Sequence, residues 1–248
     1  MSSKSEFLAR IRTEMAKTPG LFTASPAERP GQPGRRLEVL RRELSERWPQ
    51  TLDRFRAEFE RVAGVFHRVA TAADVAATLE RICAGRGTRQ LVAWPAEELG
   101  VAIAPALTAV GIAVESMPRA VVPEMERARL RRVIADADLG VTGADLAVAE
   151  TGTLVLMSAA GRPRSTSLLP PCHVAVFDRE ALVESLEQVG LALEAWHEGT
   201  PPAERGAVIN LITGPSRTAD IELTLTRGVH GPKEIHAIFV DGGLPRHG

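Results

Sequence analysis

The sequence predicts an α/β protein with a three-layer architecture: a mixed, mostly parallel sheet covered by helices on both faces. Two patterns carry that expectation. From Val65 onward, short runs rich in Val, Ile and Leu alternate with stretches whose apolar residues recur every three to four positions. Between them lies Val141–Gly161, VTGADLAVAETGTLVLMSAAG, with apolar runs Leu146–Ala149 and Thr153–Met157 joined at Glu150-Thr151-Gly152. Two such runs around a Thr-Gly corner read as a tight hairpin, which makes the sheet mixed.

The chain divides at about residue 65. Residues 1–64 read as a helical extension and 65–248 as the α/β domain. Ser5 can cap a first helix with Phe7, Leu8, Ile11 and Met15 on one face. Thr18 to Gly34 follows, with four Pro and three Gly, and reads as a linker. The first helix is therefore tethered. Its apolar stripe is left to cover its own domain, a partner, or a second copy in a homo-oligomer through residues 5–16. Leu37, Leu40, Leu44 and Trp48 keep helical spacing until Pro49, which is expected to stop the run; Leu52, Phe55, Phe59 and Val62 resume it.

Val65–Val69 is the first strand. Thr71 and Asp74 open a helix through Val75, Leu79, Ile82 and Cys83. Gln90–Trp94 is a strand, Leu99–Val110 a helix, Ile112–Ser116 a strand and Pro123–Ala135 a helix. After the hairpin, His173–Phe177 is a strand, and Asp178 is expected to cap a helix carrying Leu182, Leu186, Val189 and Leu193. Strands at Ala207–Ile212 and Ile235–Val240 complete the set.

Composition removes several function classes. Hydrophobic residues make up 44% and the net charge is −1, which describes an ordinary globular chain. No apolar run approaches the roughly 20 residues of a membrane span, and the N-terminus has no signal-like apolar core, so a cytoplasmic location is expected. Residues 1–70 hold 14 Lys/Arg against 9 Asp/Glu, yet aromatics are only 4% and Tyr is absent, so nucleic-acid binding is not expected. The two cysteines, Cys83 and Cys172, form no local pair. The six His are scattered, and His230 with His236 does not make a metal pair, so no metal site is expected.

Ligands of open α/β sheets sit at the carboxyl ends of the strands. One candidate wall there is the turn Glu150-Thr151-Gly152-Thr153, where Glu150 would be acid, base or nucleophile; the same pattern fits a carboxylate facing water. A second is Thr213–Asp220, read as a loop before a helix. Gly214, Ser216, Arg217, Thr218 and Asp220 would there bind a carboxylate or phosphorylated ligand, or simply cap the helix. A third is Arg227–Pro232, where His230 between Gly228 and Gly231 could orient or protonate. Gly161–Ser165 adds Arg162, Arg164 and Ser165 as a fourth wall.

Taken together, ADLAVAETGTLVL (144–156), GRPRSTSLLPPCHVAVF (161–177), ITGPSRTADIE (212–222) and GVHGPKEIHAIFVDG (228–242) resemble the lactate-utilization (LUD) domain family, and within it the C component of bacterial L-lactate oxidation. The likeness covers roughly Val65 to Gly242. It implies the fold type of CoA transferases, ribose-phosphate isomerase and formyltetrahydrofolate cyclo-ligase. It also implies a role in converting lactate to pyruvate with two iron–sulfur partner proteins. This chain has too few cysteines for a four-thiolate cluster, so it is expected to carry no cofactor itself and to leave the clusters to the partners. Two alternatives stay open: a stand-alone CoA-transferase-like or cyclo-ligase-like enzyme, and a non-catalytic assembly factor docking through the first helix.

Overall fold

The computed structural model describes residues 4–16, 31–120, 122–199, 208–219, 225–227 and 230–245. Helices α1 (Lys4–Ala16) and α2 (Pro33–Arg61) lead into β1 (Val65–Val69), α3 (Ala73–Arg86), β2 (Gln90–Ala93), α4 (Ala96–Leu99), α5 (Ala104–Ala109) and β3 (Ala113–Ser116). Next come α6 (Glu124–Asp136), β4 (Leu139–Gly143), β5 (Leu146–Val148), β6 (Thr153–Met157), α7 (Ser165–Leu168), β7 (Cys172–Asp178) and β8 (Leu182–Val183). The last elements are α8 (Leu186–Trp196), β9 (Ile209–Ile212), β10 (Arg217–Ala219), β11 (Leu225–Arg227) and β12 (Glu234–Val240).

Six strands form one sheet in the order β1-β12-β7-β4-β2-β3, and every neighbouring pair in it is parallel. Parallel strands need crossovers, and the crossovers put helices on the faces. That is why the central strands are apolar without alternation. All seven residues of β7 are buried, as are Ile235–Val240 of β12. In β2, Leu91 and Ala93 join the main core with α3 and α5, while Val92 joins Leu130 and Ile134 of α6 on the opposite face. The α/β class read from the sequence is the observed one.

The hairpin does not extend this sheet. β5 and β6 pair antiparallel, Leu146 opposite Val155 and Val148 opposite Thr153, inside a second sheet ordered β8-β5-β6-β9. Its two faces serve two cores. Ala147, Leu154 and Leu156 pack into the main core, whereas Leu146, Val148 and Val155 pack with Leu37 and Leu44 of α2 and Val189 and Ala192 of α8.

Helix α2 bridges the same two cores. Pro49 does not end it; the helix runs on through a kink at Arg47 (φ −121°, ψ 16°). A proline lacks an N–H and crowds the preceding turn, so it bends a helix whose two ends are both held by packing. Past the kink, Leu52, Phe55 and Phe59 enter the main core. There Phe55 stacks on Phe59 at 5.4 Å and meets the edge of Phe177 at 5.3 Å.

Three further expectations change. The helix anticipated over Leu99–Val110 is two short helices, α4 and α5, separated at Gly100 in the left-handed region (φ 68°). Asp178 caps only a single 3-10 turn, Arg179–Ala181, by accepting the Glu180 N–H; α8 begins after Ser185, whose hydroxyl accepts the Gln188 N–H. No helix follows the Thr213 loop directly, because Arg217–Ala219 is strand β10, paired antiparallel with β11. Among the described residues, no helix is long and apolar enough to cross a membrane.

Candidate functional site

Most of the residues singled out from the sequence do converge, around the C-terminal end of α2. Gly152, at the tip of the hairpin, has φ +61° and lies directly on the α2 backbone at Glu58 and Phe59. The Thr151 and Thr153 hydroxyls are 2.7 Å apart, and Thr153 reaches Thr213 at 2.7 Å. Gly214, with φ +74°, passes against the Val62 carbonyl, to which Arg217 Nη2 donates at 3.0 Å. The guanidinium thus closes a helix C-terminus, where the carbonyl dipoles favour a cation. Ser216 N–H donates to the Pro232 carbonyl at 2.9 Å, and Gly231 packs against Ser216. His230 is exposed beside them.

Glu150 is also exposed, and its carboxylate has a local task. Oε2 accepts the Leu186 N–H at 3.2 Å, at the start of α8, and the Glu150 N–H donates to the Glu184 carbonyl at 2.9 Å. A carboxylate there offsets the positive end of the helix dipole. Arg164 and Ser165 stand apart from this group, at the start of α7. Thr218 lies in β10, and Asp220 falls outside the described residues.

The carboxyl edge of the parallel sheet, where ligands of this class of fold bind, holds a different constellation. A crevice of about 330 Å³ opens beyond the ends of β2, β4 and β7. Trp94 follows β2, Gly143 and Asp145 follow from β4, and Phe177 and Asp178 end β7. Glu98 comes from α4, Arg162 from the loop after β6, and Arg41 and Trp196 from α2 and α8.

Arg162 is the centre of this crevice. Its guanidinium carbon sits 4.6 Å from the Trp94 ring centroid, a cation–π geometry. Nη2 pairs with the Asp145 carboxylate, and Nη1 faces Glu98 at 3.9 Å. Asp145 is itself fixed by the Met157 N–H at 2.6 Å. Arg162 Nε is buried and lacks a hydrogen-bond partner among the described residues. A buried guanidinium donor without an acceptor is costly, which marks Arg162 as the unsatisfied group of the crevice wall. Asp178, by contrast, is consumed by structure, its carboxylate accepting the Glu180 and Leu244 N–H groups at 3.0 and 2.8 Å.

The sequence offers Arg162 as one of two arginines of a candidate fourth wall and gives no sign of Trp94, Glu98 or Asp145. They come from three separate segments, so no local motif joins them. The rule that ligands sit at the carboxyl ends of strands was the one signal that could have found them.

The parallel six-stranded sheet, its covering helices and the crevice at its carboxyl edge define the class as an α/β domain. The chain belongs to the LUD domain family, whose sequence profile matches residues 52–240. It is 32% identical over 171 residues to "Lactate utilization protein C" of Macrococcus caseolyticus, covering 69% of this chain and 70% of that one. Identity to the protein of the same name in Halalkalibacterium halodurans is 44% over 116 residues, 46% of this chain and 48% of the relative. The chain thus spans about half the length of that second relative. In structure it is similar to a DUF162 family protein from Deinococcus radiodurans, with a TM-score of 0.52 and 25% identity over 78% of this chain and 98% of that one.

Proposed function

We propose that this chain is a component of a lactate-utilization system and binds a small hydroxy acid in the crevice around Arg162. The name shared by its relatives supports the process. The observation that carries the site is the buried Arg162 Nε, left without an acceptor between the Trp94 face and two carboxylates. A ligand carboxylate would complete the guanidinium, and a ligand hydroxyl would donate to Asp145 or Glu98. The charge balance selects among anions. Glu97, Glu98, Asp145 and Asp178 line the crevice against Arg41 and Arg162, so a monocarboxylate fits better than a phosphate or dicarboxylate.

Oxidation of a hydroxy acid needs an electron acceptor. With two cysteines, Cys83 and Cys172, both buried, the chain lacks the thiolates of an iron–sulfur cluster, which favours a division of labour with iron–sulfur partners in the cytoplasm. The exposed Phe7, Leu8 and Ile11 on α1 support a docking role for that helix in such an assembly. Glu150 and Arg217 enter this reading as groups that fix α8 and α2.

The test is anaerobic, lactate-dependent dye reduction with the iron–sulfur partners present. Activity is expected to require the chain and to fall with Arg162→Gln. Full activity without the chain would remove the lactate assignment, and full activity with Arg162→Gln would remove the crevice from it.

A further inference from the structure

Strand pairing gathers, on a different part of the sheet, three donors that are far apart in the sequence. β7 and β12 run side by side with Cys172 in register with Glu234, and His236, two residues on, points to the same face. The Cys172 sulfur, a Glu234 carboxylate oxygen and a His236 ring nitrogen all lie within 4.8 Å of one another. His67 on β1 joins them, its Nε2 standing 3.0 Å from His236 Nδ1.

That contact occupies one nitrogen of His236 and leaves the other. The His236 side chain is only 10% exposed, and its Nε2 is buried without a hydrogen-bond partner among the described residues. Glu234 Oε2 stands 3.6 Å from it, beyond hydrogen-bond reach. Two metal–ligand bonds of about 2.0 Å meeting at a tetrahedral angle hold their donors about 3.3 Å apart. The gap between these two groups is therefore close to that spanned by a shared metal ion.

We propose that Cys172, Glu234 and His236 bind one divalent ion of the zinc type, with His67 as the residue that orients the His236 ring. Sulfur, imidazole and carboxylate together are a donor set suited to tetrahedral zinc. The His67 contact to Nδ1 has the geometry that fixes a ligating imidazole, and the Arg86 ion pair holds the Glu234 carboxylate. A pocket of about 340 Å³ lined by His67, Arg81, Arg86 and His236 adjoins the set. A site with three protein ligands and one open position can take water or substrate.

Binding forms a sulfur–metal bond, breaks the Cys172 S–H bond and releases one proton to solvent for each ion bound. Arg81 and Arg86 oppose the cation, so the site is expected to be weaker than a four-cysteine centre.

The test uses the full chain, stripped with a chelator and titrated with Co²⁺. One equivalent is expected to give tetrahedral visible bands and a near-ultraviolet thiolate-to-cobalt charge-transfer band, both displaced by Zn²⁺. Cys172→Ser should abolish the near-ultraviolet band, and Cys83→Ser should retain it. Glu234→Gln, at a half-exposed position, should weaken binding about tenfold or more. Absence of the charge-transfer band in the unaltered chain, or its survival in Cys172→Ser, would overturn the proposal. If Cys172→Ser does not fold, Glu234→Gln decides: unchanged affinity would overturn it.

Discussion

Replacing Gly152 with alanine tests whether the hairpin tip is a structural wedge. Gly152 has φ +61°, where an alanine costs about 1–2 kcal/mol. A Cβ there would also lie 2.6 Å from the Glu58 carbonyl carbon and from Phe59 Cα, both backbone atoms of α2 that cannot rotate away. Overpacking of that kind costs about 1–3 kcal/mol, so the total is about 2–5 kcal/mol. Gly87→Ala is the matched control. Its φ is +67° and a Cβ there meets no heavy atom within 4 Å, so only the conformational cost of about 1–2 kcal/mol applies. Urea denaturation followed by circular dichroism gives both values. Equal losses in the two variants would refute the wedge and leave the turn free to present Glu150 to a ligand.

Phe55→Ala should cost about 3–5 kcal/mol in the same assay, because Phe55 is fully buried against Phe59 and Phe177; a loss below about 1 kcal/mol would detach this half of α2 from the core. Glu150→Gln should cost only about 0.3–1 kcal/mol, the worth of a carboxylate at a helix N-terminus, and leave ligand affinity unchanged. Calorimetry showing abolished binding in that variant would give Glu150 a direct chemical role. Gly190→Ala, in the middle of α8 with no heavy atom within 4 Å of the added methyl, should stabilise by about 0.5–1 kcal/mol, and a loss would place that face of the helix in a contact.

The class of fold was legible because buried parallel strands and amphipathic crossovers leave periodic apolar signals. The departures have local physical reasons. Pro49 reads as a stop, yet packing on both sides of Arg47 holds the helix together through a kink. Asp178 reads as a helix cap, but the start of α8 was written in Ser185 and Gln188, a capping pair three residues apart. β4 carries Gly140 and Gly143 and so lacks the dense apolar run that marks a strand. Gly140 is required because a Cβ there would collide with the Thr166 carbonyl of α7. Long-range pairing hides the rest. Nothing near Arg162 in the sequence announces Trp94, Asp145 or Glu98, and nothing near His236 announces Cys172.

The most direct measurement is calorimetric titration of the full chain with L-lactate, repeated with propionate and with Arg162→Gln. If the crevice binds a hydroxy acid, lactate should bind with one-to-one stoichiometry. Loss of a hydrogen bond to a charged partner should weaken Arg162→Gln about tenfold or more, and loss of the hydroxyl should weaken propionate about two- to tenfold. Propionate binding as tightly as lactate, or an Arg162→Gln variant with unchanged affinity, would contradict the account.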